Sequence, residues 1–156
     1  MTTIPDDMVT ALRTYLGALH ASSDDAFDDS DRRFLALRTS GKYQGLDVLL
    51  LAAFTVAARR RFAPVWYPAE IIRYVAEVRG VTPEMADTLN AVAAENQLRS
   101  ALGQEVPPFP DAETRTRAQM MLLIALTADY TENELDTLLA DAHTVADNWL
   151  TFTPDK

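Results

Sequence analysis

The sequence predicts an all-α protein, a single compact bundle of about six to seven helices spanning residues 1–156. Three observations carry that expectation. Apolar residues recur at helical spacing along most of the chain, the breaks between these runs hold proline, glycine or capping residues, and no stretch alternates as a strand would. Two segments, Leu46–Phe62 and Ala118–Ala128, are apolar on nearly every side. A helix without a polar face has to be surrounded, so these two are expected at the centre.

The elements follow in order. Met8, Leu12, Tyr15, Leu16 and Leu19 fall on one stripe, with Pro5 and Asp6 suited to a first turn. "SSDDAFDDSDRRFLAL" offers a serine cap and acids ahead of Phe34, Leu35 and Leu37, and the two glycines of "TSGKYQG" stop a second helix. After the apolar helix over 46–62, Pro64 and Pro68 interrupt the chain and restart it at Ala69, with Ile71, Val75 and Val78 as a buried stripe and Gly80 as its end. "VTPEM" pairs a threonine cap with proline at the first helical position and leads a single helix through Met85, Leu89, Val92 and Ala93. "GQEVPPFPD" reads as a rigid connector to "AQMMLLIALTA". Thr131 and Glu134 form a capping box, after which Leu135, Leu138, Ala142, Val145 and Trp149 line the last helix.

A test for two related helical-hairpin repeats aligns "WYPAEIIRYVAE" from Trp66 with "YTENELDTLLAD" from Tyr130. Each follows an apolar helix and carries an aromatic, a capping position and a glutamate three residues later. Helix starts share that grammar without common descent.

Composition excludes several classes. With no cysteine, disulfides, thiolate metal sites and a cysteine nucleophile are out, and a reducing cytoplasm is the expected location. "MTTIPDDMVT" has neither the basic start nor the apolar stretch of a signal peptide. The longest apolar region, 48–58, falls well short of the ~20 residues that span a bilayer, so no membrane association is expected. The net charge of −9 sets a repulsive default towards nucleic acid. Read along the chain, residues 1–31 and 111–156 each carry −6 and residues 32–110 carry +3, which places acidic ends around a mildly basic centre.

That centre holds the candidate partner-binding residues: Arg32, Arg33, Arg38 and Lys42, then Arg59, Arg60 and Arg61, then Trp66 and Tyr67 between two prolines. Arginines beside stackable rings suit phosphate or nucleobase binding. The same residues suit a helix end. Arg59–Arg61 fall in a last turn, where positive charge complements exposed carbonyls, and successive helix positions point about 100° apart and cannot all face one ligand.

Catalytic and metal motifs are missing. "DDAFDDSD" lacks the ligand order, glycine and closing glutamate of a calcium loop. His20 and His143, each late in a helix, stand in no pair suited to zinc or di-iron. There is no nucleophile elbow, phosphate loop or dinucleotide fingerprint, so neither a cofactor nor an enzymatic activity is expected. The leading expectation is a non-catalytic cytoplasmic module, an adaptor, regulator or immunity-type inhibitor, that docks a protein partner through charged surfaces. One alternative is a small-molecule sensor with a pocket lined by Phe54, Met120, Met121, Trp66 and Tyr67. The other is a nucleic-acid regulator using the basic patch, with 69–79 as its recognition helix.

Overall fold

A computed structural model describes residues 3–20, 45–81, 83–107 and 109–152, apart from the side chains of residues 18–20, 84 and 152. These residues form seven α-helices and no strand: α1 (Asp6–His20), α2 (Leu46–Phe62), α3 (Pro68–Arg79), α4 (Pro83–Thr88), α5 (Ala91–Ala101), α6 (Ala112–Thr127) and α7 (Glu132–Phe152). The all-α class is therefore the fold. The helix expected around Phe34, Leu35 and Leu37, and the acidic run before it, lie outside the described residues.

The chain divides into two compact units, one of residues 1–53 with 128–156 and the other of residues 54–127. The first boundary falls inside α2. In the terminal unit, α1 packs against α7. Met8, Leu12, Tyr15 and Leu16 on α1 are buried, as the stripe predicts, and so are Leu135, Leu138, Leu139, Ala142 and Ala146 on α7. Val145 and Trp149, expected in that stripe, are only half-buried. Leu46, Leu49, Leu50, Ala52 and Ala53 supply the buried face of α2 in this unit. Leu51 keeps 37% of its surface in water, so α2 is not enclosed on every side despite its apolar composition.

In the central unit, α3 packs on α4 and on α5, and α5 packs on α6. Their contact faces form one core: Phe54, Ala58 and Phe62 from α2, Ile71, Val75 and Val78 from α3, Ala93, Ala94 and Leu98 from α5, and Ala118, Met121 and Leu122 from α6. Fully burying a large aliphatic or aromatic side chain stabilises by roughly 1.5–3 kcal/mol, which is why these helices assemble although most are too short to persist alone.

Two helix limits differ from the sequence expectation. The helix expected to run from Pro83 through Ala93 breaks at Leu89–Asn90, because the Asn90 side chain accepts from the Ala93 N–H at 3.0 Å and starts α5 as its cap. Val92, counted in the apolar stripe, is 59% exposed as a result. The apolar run at Ala118 belongs to a helix that starts earlier, at Ala112, where Asp111 accepts from the Glu113 N–H at 3.3 Å and from the Thr114 hydroxyl. Pro83 does occupy the first position of α4, whereas Thr82 lies outside the described residues.

The two helix starts compared for a repeat use different chemistry. At α7 the capping box is formed, with Glu134 N–H to Thr131 Oγ1 and Thr131 N–H to Glu134 Oε1 both at 3.1 Å. At α3 the cap residue is Tyr67, whose side chain makes no capping bond, and Pro68 supplies the first turn's backbone angle.

Candidate docking surface

Grouping residues by unit redistributes the charge. Residues 54–127 hold eight acids and eight arginines and are neutral, so the whole −9 resides in the terminal unit. That unit holds fifteen acids and six bases; its described acids are Asp6, Asp7, Asp47, Asp129, Glu132, Glu134, Asp136, Asp141 and Asp147, its described base is Arg13, and its other five bases lie outside the described residues. All of these acids but Asp147 are exposed. The periodicity of α7 explains this: Leu135, Leu138, Leu139, Ala142 and Ala146 point inward, which leaves Glu132, Asp136 and Asp141 on the water side.

Arg13 crosses from α1 to α7, its Nε donating to Asp136 Oδ1 at 2.7 Å. Gly17 makes room for it, since a Cβ there would come within 2.9 Å of the Arg13 guanidinium. The side chains are 27% and 62% exposed, so this pair contributes only about 0–1 kcal/mol.

His143 does not sit near a helix end, because α7 continues to Phe152. Its Nε2 lies 2.7 Å from the Ile4 carbonyl and 3.4 Å from Asp147 Oδ2. The Ile4 N–H donates to Asp147 Oδ1 at 2.6 Å. The spacing of His143 and Asp147, one helical turn apart, was visible in the sequence; their common partner, 139 residues away from His143, was not. The side chain of His20 lies outside the described residues.

The structure places the predicted basic residues as follows. Arg32, Arg33, Arg38 and Lys42 lie outside the described residues. Arg59, Arg60 and Arg61 are exposed in the last turn of α2. The Arg59 Nε donates to the Ala101 carbonyl at the end of α5, at 3.0 Å. The Arg61 guanidinium stands 5.4 Å from the Phe62 ring and 5.6 Å from the Tyr74 ring, a cation–π arrangement. The two arginines thus serve different neighbours. Trp66 packs against the central core, while Tyr67 is 64% exposed. Of the expected pocket residues, Phe54 and Met121 are buried core members and Tyr67 stands apart from them in water.

Among the described residues no group of three or more His, Asp or Glu side chains is placed to hold a metal, and no helix is long and apolar enough to cross a membrane. The fold is all-α, and the residues of its terminal unit carry the whole net charge. Comparison with protein-family models, curated proteins and solved structures finds no match.

Proposed function

We propose that this chain is a non-catalytic cytoplasmic docking module, whose terminal unit engages a basic protein surface through the exposed acids of α1 and α7. The observation that supports this reading is the charge of the terminal unit, whose residues hold fifteen acids against six bases, while residues 54–127 carry no net charge. A field of one sign raises the encounter rate with an oppositely charged partner and disfavours like-charged ones. An immunity-type role against a basic toxin is a special case. The arginine triplet of α2 supports an external anion less well, since Arg59 and Arg61 already serve a carbonyl and two rings.

The test is capture from the native host at low salt, followed by salt titration with the identified partner. Affinity is expected to fall at least about tenfold between 50 and 300 mM salt, and again with Glu132→Lys and Asp141→Lys. Absence of a protein partner at low salt, or affinity indifferent to both salt and charge reversal, would refute the proposal.

A further inference from the structure

Thr3–Pro5 precedes α1 and belongs to no helix, yet Ile4 is only 2% exposed. Both polar groups of its backbone are taken by one turn of α7. Its N–H donates to Asp147 Oδ1 at 2.6 Å, and its carbonyl lies 2.7 Å from His143 Nε2. A carbonyl can only accept, so His143 carries its proton on Nε2. Asp147 Oδ2, 3.4 Å from that same nitrogen, braces the imidazole. Two side chains on a helix thereby satisfy one residue's backbone on both sides, much as a neighbouring strand would, while the aliphatic side chain is enclosed.

Nothing in this recognition depends on the residue being covalently part of the chain. We propose that His143 and Asp147 form a recognition site for an extended peptide bearing an aliphatic residue, kept closed in cis by the chain's own Thr3–Pro5 segment. The tether holds that segment at an effective concentration in the millimolar range, so a competing peptide succeeds only when it adds contacts beyond Ile4 or meets the site open. The site stands independently of the acidic docking surface. It reads two backbone groups and an apolar side chain, and its occupancy survives salt that dissolves purely electrostatic binding.

Two measurements on the full chain test this. In amide hydrogen exchange, the Ile4 N–H is expected to be protected but to open more readily than the amides of Leu138 and Ala142, as a segment that lifts without unfolding α7. Asp147→Ala and His143→Leu should each lower protection at Ile4 at least about tenfold and leave Leu138 and Ala142 unchanged; His143→Gln, whose amide N–H can serve the same carbonyl, should retain most of it. In the second measurement, Ile4→Asp opens the site. A synthetic peptide of residues 1–8 should then shift the NMR resonances of His143 and Asp147 at millimolar concentration, with no shift in the wild type or with the Ile4→Asp peptide. Exchange of Ile4 only together with the α7 amides, or no shift in the opened variant up to roughly 10 mM peptide, would overturn the proposal. The exchange measurement stands alone if Ile4→Asp fails to fold.

Discussion

The two units use charge in opposite ways. In the central unit, arginines turn to backbone carbonyls: Arg79 forks onto Leu89 and Ala86 at 2.9 Å each, Arg59 reaches Ala101, and Arg115 reaches Phe109. Each closes a helix end or connector whose carbonyls lack a backbone donor, and eight acids balance the eight arginines. In the terminal unit the acids outnumber the bases and most of the described ones are exposed; Asp136 pairs with Arg13, Glu134 caps α7 and Asp147 holds the Ile4 backbone. The central unit balances its charge and turns part of it to helix ends, whereas the terminal unit keeps a net excess of acid. That contrast motivates the docking proposal and sets what each substitution should do.

The largest effects should come from the cores. Phe54→Ala, at a fully buried position of the central unit, is expected to cost about 3–5 kcal/mol, and Leu138→Ala in the terminal unit about 2–5 kcal/mol, read from urea denaturation. A cost under about 1 kcal/mol at Leu138 would mean that the acidic unit has no packed core to present its surface from.

Next come the charges themselves. Arg79→Ala should destabilise by about 1–3 kcal/mol by leaving two carbonyls without their fork, and lysine should restore little because it lacks the planar double donor. Glu132→Gln in the exposed first turn of α7 should stay within about 0.5 kcal/mol. Equal costs for the two would erase the distinction between the units. Thr131→Ala, which removes half of the capping box, should cost about 1 kcal/mol in thermal or urea unfolding.

Gly17→Ala is expected to change stability by no more than about 0.5 kcal/mol. The better helix former offsets the displaced Arg13–Asp136 pair, and the balance should shift towards stabilisation in high salt, where the ion pair matters less. The smallest effect concerns the α6 cap. The hydroxyl of Thr114 and the Glu113 N–H hold the Asp111 carboxylate below its ordinary value of 3.8. A depressed carboxylate stabilises the folded state above pH 3.8 and loses that contribution as pH falls through its lower folded value. Any stability advantage of wild type over Asp111→Asn should therefore fade below pH 3.8, measured along the acid limb of the unfolding curve.

Much of the fold was legible locally. The α1 stripe, the start of α3 and its buried Ile71, Val75 and Val78, and the Thr131 capping box all appear where spacing put them, since each depends on residues within a few positions. Asn90 and Asp111 were readable as caps too, but apolar residues on both sides of Asn90 and the prolines before Asp111 drew the boundaries elsewhere. The candidate site was less visible. The arginine triplet stands out because its charge is unlike that of an acidic chain, whereas the exposed acids of the proposed surface are scattered over α1 and α7, which lie at opposite ends of the sequence.

By itself, the sequence determined the helical class and, on α1 and α3, which side turns from water, because a 3.6-residue period and the chemistry of caps act over one or two turns. Only the tertiary structure decided that α1 and α7 share a unit, that the net charge gathers there, and that His143 and Asp147 meet Ile4. Those pairings join residues some 140 positions apart, and a contact closed over that length leaves no periodic trace in the chain.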